Sequence, residues 1–144
     1  MESLHYLLMK SHAVFARRVL AEVSKLGLTS GQPKILDYLY QHGEADQKTI
    51  AAHCEIEPAT AGSILLRMES AGLVLRRQKE GNRRSLYVSL TPAGRQAAAR
   101  LMEIFHQVEG EATAALSQEE AQTLQRLLTR LCDAMQAHPE KGAM

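Results

Sequence analysis

The chain has no tryptophan and few aromatic residues of any kind, and its only cysteines are Cys54 and Cys132. Because these two lie far apart and form no CxxC pair, we expect reduced thiols and a cytoplasmic protein. No apolar run is long enough to cross a bilayer, and the start at Met1 has no signal-like segment. These absences argue against a disulfide-stabilised secreted fold and against membrane association.

Motifs of the common enzyme classes are also missing. The sequence holds no GxSxG, P-loop, GxGxxG, HExxH or paired-carboxylate pattern, and its histidines are scattered. We therefore expect a protein that is not an enzyme and has no cofactor and no dedicated metal site. Leucine and alanine, in contrast, are abundant, and over 144 residues they predict a single, mainly helical domain with a substantial core.

Charge is distributed unevenly, although the formal net charge at pH 7 is only +1. Residues 67–100 carry eight Lys and Arg against two Glu, a net charge of +6, whereas residues 1–66 carry −1 and residues 101–144 carry −4. A block this basic is typical of a surface that faces phosphates. The alternative is a solvated charged face, but such faces usually mix both signs.

The basic block lies within a stretch that has the helix and turn signals of a winged helix-turn-helix. A short helix is predicted from Asp46 to His53, and a second helix opens at Pro58 and closes at Gly72. Two strands follow, at residues 73–77 and 85–90, joined by a basic tip that turns around Gly81-Asn82. This arrangement places one helix in a DNA major groove and a ribbon beside it.

The second of these helices has a core face and a polar face. Ala61, Ile64, Leu65 and Met68 recur at helical spacing, whereas Gly62 indicates close approach either to a neighbouring helix or to DNA, with packing favoured. The predicted DNA-binding residues lie on the opposite face or on the basic hairpin. They are Ala59, Thr60, Ser63, Arg67, Arg76, Arg77, Lys79, Asn82, Arg83 and Arg84.

Long apolar-striped helices flank this module, at about residues 3–25, 92–115 and 118–137, before a tail from His138 that should fray. We expect residues 28–95 to form the DNA-binding lobe, with residues 1–27 and 96–137 used for dimerisation. Packing of all three flanking helices within one chain is the alternative. A symmetric homodimer would bind a near-palindromic operator in double-stranded DNA.

Several motifs occur in the order seen in one family of bacterial regulators. They are Leu28-Thr29-x-x-Gln32, which also forms a predicted capping box, Ala71-Gly72-Leu73-Val74, the basic wing, and Val88-Ser89-Leu90-Thr91-x-x-Gly94-Arg95. The chain resembles the MarR family along nearly its whole length. The resemblance implies a dimeric winged-helix fold, often a repressor, which leaves DNA when a small, frequently aromatic molecule binds between the dimer helices and the DNA-binding lobe.

The sequence departs from the family pattern at two positions. The wing of the family usually carries Asp-x-Arg, whereas this chain has Asn82-Arg83-Arg84, so the carboxylate that braces the arginine is an amide. The role of minor-groove arginine carries over to Arg84, with Glu80 as a nearby alternative brace. Gly62-Ser63 also stands where many relatives have Ser-Arg, so specificity should depend more on Thr60, Ser63 and DNA shape.

An effector site is expected in the crevice between the first, second and fifth helices, with His12, Phe15 and Tyr38 as candidates from their positions. Some members of the family bind metal instead. His106 and Glu109, one turn apart, could begin such a site here, although no further ligand can be located.

Other family members sense oxidants through a cysteine in the first helix region, where this chain has none. Cys54 precedes a helix N-terminus that would favour a thiolate, but Glu55 and Glu57 oppose ionisation. Cys132 is expected in the core. A winged helix used only as a protein-interaction module is the remaining alternative, and it leaves the basic wing without a purpose.

Overall fold

The protein's structure, a computed structural model, describes residues 1–137, and of Asn82 and Arg83 the backbone only. The helices are α1 (Leu4–Val23), α2 (Gln32–His42), α3 (Gln47–His53), α4 (Pro58–Ser70), α5 (Pro92–Ala112) and α6 (Gln118–Ala137), and a short 3-10 turn covers Ser24–Leu26. The strands are β1 (Ala45–Asp46), β2 (Val74–Lys79) and β3 (Asn82–Leu90). The predicted mainly helical fold with a small wing is confirmed, and the tail from His138 lies outside the described residues.

The described residues divide into two compact units, one of residues 1–108 and one that begins at residue 109. The first contains a continuous hydrophobic core, in which Val23 of α1, Ile35 of α2, Leu65 of α4, Val88 of β3 and Leu101 of α5 are fully buried. The helix-turn-helix and the wing both belong to this unit, so one core supports both elements.

The start of α2 differs from the predicted capping box at Thr29. Gln32 does accept the N–H of Thr29 through Oε1 at 3.2 Å, but the residue that precedes the helix is Gly31, at a φ of 91°. A Cβ at Gly31 would lie 2.7 Å from Cδ1 of Ile64, so the chain passes α4 closely here. That close passage and the left-handed conformation move the helix start to Gln32, and the predicted Thr29 cap is wrong.

The helix-turn-helix has the predicted bounds and caps. Asp46 accepts the N–H of Thr49 through Oδ1 at 2.7 Å. Hydrogen bonding from the Thr49 side chain, and then from this N–H, lowers the pKa of Asp46. Pro58 occupies the first turn of α4, and the predicted core face of that helix is buried. A Cβ at Gly62 would lie 3.0 Å from Nε2 of Gln47, which favours helix packing as the reason for that glycine.

The wing is part of a three-stranded antiparallel sheet in the order β1-β3-β2. Val74 pairs with Leu90, and Arg76 pairs with Val88. β1 was not predicted, because two residues are too few to show an alternating pattern. The hairpin turn occupies Glu80-Gly81, one residue earlier than predicted, since Gly81 adopts a φ of 82°.

A tight junction connects the wing to α5. The Thr91 N–H donates to the Leu73 carbonyl at 3.1 Å, and the Thr91 hydroxyl donates to the Gly72 carbonyl at 2.5 Å. The same hydroxyl accepts the N–H of Gly94 at 2.9 Å, so Thr91 caps the start of α5. A Cβ at Gly94 would lie only 1.9 Å from the Leu73 carbonyl oxygen, so only glycine fits this position without movement of the backbone.

The second unit is described through residue 137. Ser117 and Glu120 form a capping box at the start of α6, with hydrogen bonds of 2.9 and 3.0 Å. No residue of α6 is buried, and Cys132 is exposed, so the expectation that Cys132 lies in a core is wrong. The apolar stripe of α6 suggested a buried position, but within one chain that stripe is left uncovered.

No helix in residues 1–137 combines the length and the apolar character that a membrane span requires.

Candidate nucleic-acid interface

The outer face of α4 is exposed where the sequence predicted it. Ala59, Thr60, Ser63 and Arg67 all point away from the core. The Ser63 hydroxyl donates to the Ala59 carbonyl at 3.3 Å, and Arg67 Nε donates to the Ser63 carbonyl at 3.5 Å. Both polar groups are therefore held against their own helix and can turn outward at little cost, because the bonds they leave are weak or long.

Sequence reasoning missed one residue on this face. Leu66 lies one turn after Ser63 and is 54% exposed, on the same outer face of the helix. Apolar side chains in this position can contact thymine methyl groups in a major groove. The sequence could have indicated this, because a residue three positions after Ser63 lies on the same face of a helix.

Arg84 is exposed on β3, close to the turn of the hairpin. Among the residues whose side chains are described, it forms no ion pair or hydrogen bond. The side chains of Asn82 and Arg83, two further predicted contacts, lie outside the described part of the chain. The wing therefore presents at least one cation near its tip that remains available to a phosphate or a groove.

Arg77 and Lys79 are held by a carboxylate that the sequence did not single out. Glu44 accepts bonds from Arg77 Nε and Nη2 at 3.0–3.3 Å and lies 2.8 Å from Lys79 Nζ. Lys79 Nζ also lies 4.3 Å from the centroid of the Tyr87 ring. The hydrogen bonds from Lys79 and then Arg77 hold the pKa of Glu44 below its usual range. The two cations remain partly exposed, at 64% and 45%.

Arg76 has a different environment from the other cations of the wing. Its guanidinium donates from Nη2 to Glu69 Oε1 at 3.2 Å and from Nη1 to Gln47 Oε1 at 3.5 Å, and only 17% of the side chain is exposed. Its Nε is buried without a hydrogen-bond partner. Arg76 therefore connects β2 to α3 and α4, which leaves it less able to reach a phosphate than Arg77 or Lys79.

The three candidate effector residues differ in their exposure and contacts. His12 is exposed on α1, and Phe15 is half-buried against the core. The ring of Tyr38 contacts those of His42 and His53, at centroid distances of 4.6 and 4.7 Å. Two shallow apolar depressions occur elsewhere. One is lined by Leu7, Lys10, Ser11 and Val14 on α1, and the other by Leu116, Glu119, Glu120, Thr123, Leu124 and Leu127 at the start of α6.

The alternative sensing groups gain little from their surroundings. His106 and Glu109 are exposed on α5, and no group of three or more His, Cys, Asp or Glu suited to a metal occurs within residues 1–137. Cys54 is buried and its Sγ lies 3.5 Å from the Lys34 carbonyl. Burial raises the pKa of Cys54, so the neutral thiol is favoured over the reactive thiolate.

The helix-turn-helix and the wing lie in the part of the chain that is similar to known proteins. The model of the MarR family matches residues 28–86, which include the helix-turn-helix and most of the wing. An HTH-type transcriptional repressor of Mycobacterium tuberculosis is 30% identical over 128 residues, which cover 89% of this chain and 92% of that protein. The homoprotocatechuate degradative operon repressor of Escherichia coli is 35% identical over 111 residues, 74% of this chain and 72% of that one.

A solved structure agrees with the fold. The Staphylococcus aureus MepR–DNA complex superposes with a TM-score of 0.84 and 22% identity, over 94% of this chain and all of the MepR chain. At that identity the likeness establishes the fold, whereas the two repressors are similar enough in sequence to establish the family. The helix-turn-helix, the basic wing and these relatives together show that the chain belongs to the MarR family of winged helix-turn-helix transcription regulators.

Proposed function

We propose that the protein is a homodimeric, sequence-specific DNA-binding repressor that acts in the cytoplasm, is not an enzyme, and leaves its operator when a small aromatic molecule binds. The observation that supports this most strongly is the exposed outer face of α4 beside a hairpin whose Arg84 is unpaired among the described side chains. A helix and a ribbon so placed fit adjacent grooves of B-form DNA.

The contacts divide by type. Thr60, Ser63 and Leu66 on α4 address base edges in the major groove, where hydroxyls bond either base type and leucine meets thymine methyl groups. The cations Arg67, Arg77, Lys79 and Arg83 address phosphates, Ala59 and Asn82 lie at the margins of the contact, and Arg84 enters the minor groove. Arg76 serves this interface indirectly, because Glu69 and Gln47 hold it.

The proposed domain organisation assigns residues 28–95 to DNA binding and residues 1–27 and 96–137 to dimerisation. Apolar side chains are exposed on both dimerisation segments. On α1 they are Leu4, Leu7, Leu8, Met9 and Val14, and on α6 they are Leu124, Leu127, Leu128 and Met135. Exposed apolar surface on this scale marks a protein interface, and a second copy of the chain is the partner that symmetry favours. Two recognition helices would then meet successive major grooves about 34–36 Å apart.

The proposal of an aromatic effector is based on the function of one relative and on a ring contact between α2 and α3. The Escherichia coli relative represses an operon for the degradation of homoprotocatechuate, an aromatic compound. In this chain the ring of Tyr38 on α2 contacts that of His53 on α3. A ligand that packs against Tyr38, with His12 and Phe15 as further candidates, would therefore act on the helix-turn-helix directly. Release follows if the ligand fits only a dimer whose lobes no longer match the DNA spacing.

The experiment that tests the proposal measures binding to the DNA upstream of the protein's own gene at several salt concentrations. Arg84→Ala should reduce the salt slope by about 1, because one cation no longer releases a counterion. Arg100→Ala removes the same charge from the exposed surface of α5, outside the proposed lobe, and should leave the slope unchanged. An unchanged slope for Arg84→Ala would remove Arg84 from the interface. Addition of homoprotocatechuate to the same assay tests release by this class of ligand.

A further inference from the structure

The two faces of β2 are fastened to different parts of the first unit. Side chains alternate along a strand, so Val74 and Arg76 lie on the core side and Arg77 and Lys79 lie on the solvent side. Val74 is buried and Arg77 is exposed, in agreement with this alternation. Arg76 on the core face and Arg77 and Lys79 on the solvent face are bound by two different carboxylates.

On the solvent side, the carboxylate is Glu44, which precedes β1. The strand order places β3 between β1 and β2, and Tyr87 of β3 pairs with both Asp46 and Arg77. The bonds from Arg77 to Glu44 therefore cross the whole sheet, from one outer strand to the loop that leads into the other. Lys79 reaches the same carboxylate and also contacts the face of the Tyr87 ring.

On the core side, the carboxylate is Glu69, in the last turn of α4. Through Arg76 it joins β2 to the recognition helix, and the same guanidinium reaches Gln47 at the start of α3. Arg76 and Arg77 are consecutive, so the Arg76–Glu69 and Arg77–Glu44 ion pairs fix the same part of β2 on its two faces. Their combined effect is to hold the angle between the hairpin and α4.

We infer that Glu44 is a positioning residue, which sets the tilt of the wing through Arg77 and Lys79 and thereby determines how well the protein discriminates its operator from other DNA. The inference rests on the proposed function. It also supplies a brace for a wing in which the usual carboxylate position is occupied by Asn82. The glutamate considered from sequence alone, Glu80, is exposed at the hairpin turn.

The carboxylate has two effects that act in opposite directions. It neutralises part of the charge that Arg77 and Lys79 offer to phosphates, so its removal should strengthen binding to any DNA. It also holds the hairpin in one orientation, so its removal should weaken binding to the one sequence that needs that orientation. The ratio of the two affinities therefore separates bracing from simple charge.

The experiment compares Glu44→Gln with Glu80→Gln, which removes the same charge from the tip of the same hairpin. The probes are a duplex that the wild-type protein selects from a randomised library and a scrambled duplex of equal composition. Both variants should steepen the salt slope on scrambled DNA by up to about 1. Only Glu44→Gln should lower the ratio of selected to scrambled affinity, by about two- to fivefold, which is the range expected for loss of partly exposed ion pairs.

Partial unfolding would not imitate this result, because it reduces the active fraction and lowers both affinities equally. If Glu44→Gln fails to fold, Glu44→Asp decides the question, since it keeps the charge but shortens the reach. Glu44→Asp should lower the ratio with an unchanged salt slope. Equal ratios for the wild type and the Glu44 variants would overturn the inference while leaving the proposed function intact. A wild-type protein that selects no sequence would overturn both.

Discussion

Replacement of Gly94 by alanine should destabilise the protein, although alanine is the better helix former. In α5 the exchange alone should add about 1 kcal/mol of stability. The new Cβ, however, would lie 1.9 Å from the Leu73 carbonyl oxygen, and ordinary contact begins near 3.4 Å. The carbonyl would have to retreat by about 1.5 Å, and its neighbours in the turn are backbone atoms that cannot rotate aside.

The cost can be estimated from the contacts at this junction. The Leu73 carbonyl accepts the N–H of Thr91, and loss of that bond costs about 1 kcal/mol. Overpacking in a tight site costs about 1–3 kcal/mol more. After the gain in helix propensity, we expect Gly94→Ala to lower the free energy of unfolding by about 2 kcal/mol.

The assay is urea unfolding followed by circular dichroism, at one fixed protein concentration because dissociation of the proposed dimer would contribute to the measured stability. Gly110→Ala is the matched control, since Gly110 lies on the same helix and an added Cβ there meets nothing within 4 Å. It should stabilise the protein by up to about 1 kcal/mol. Similar stabilities for the two variants would refute the reasoning.

Three further predictions follow from the described residues. Glu55→Gly should stabilise the protein by about 0.5–1 kcal/mol in the same urea assay, because Glu55 adopts a φ of 56° in the turn before α4; a destabilised variant would contradict this. The free energy of unfolding should fall as the pH drops below about 4.3, because Glu22, Glu44 and Asp46 accept hydrogen bonds that hold the pKa of each below its usual range. A free energy of unfolding that does not change with pH in the acid range would contradict these lowered pKa values. Folded protein should react slowly with iodoacetamide at Cys54, whose pKa is raised by burial, and rapid labelling before unfolding would show that the thiol is accessible.

The direction of the acid effect follows from the pKa shifts. A carboxyl whose pKa is lower in the folded state stabilises the fold above its ordinary pKa, and this contribution is lost as the pH falls through the folded value. Glu22 is lowered by hydrogen bonds from Arg18 and Lys25, and Glu44 by those from Lys79 and Arg77. These groups are open to solvent, so screening by salt should reduce the effect.

Local patterns were sufficient for the helix-turn-helix. The core face of α4 could be predicted because its apolar residues repeat every three or four positions, and the same spacing placed Ser63 and Arg67 outward. The caps at Asp46 and Ser117 were predictable because each involves residues only three positions apart.

Features that depend on distant residues were not predictable in this way. Glu44 contacts Arg77 although 33 positions of sequence separate them. Nothing in the sequence near Glu44 indicates that its carboxylate faces the wing. The position of Gly31 near Ile64 altered the start of α2 for the same reason. Cys132 was expected in a core because its neighbours on α6 are apolar, whereas within one chain α6 leaves it exposed.

The central claim is that α4 and the wing form one DNA-binding face, which a dimer presents twice. Hydroxyl-radical footprinting of the wild-type protein on its selected duplex tests this most directly. We expect two symmetric protected tracts whose centres lie about 10 base pairs apart. A single protected tract, or a duplex that the protein leaves unprotected, would contradict the account.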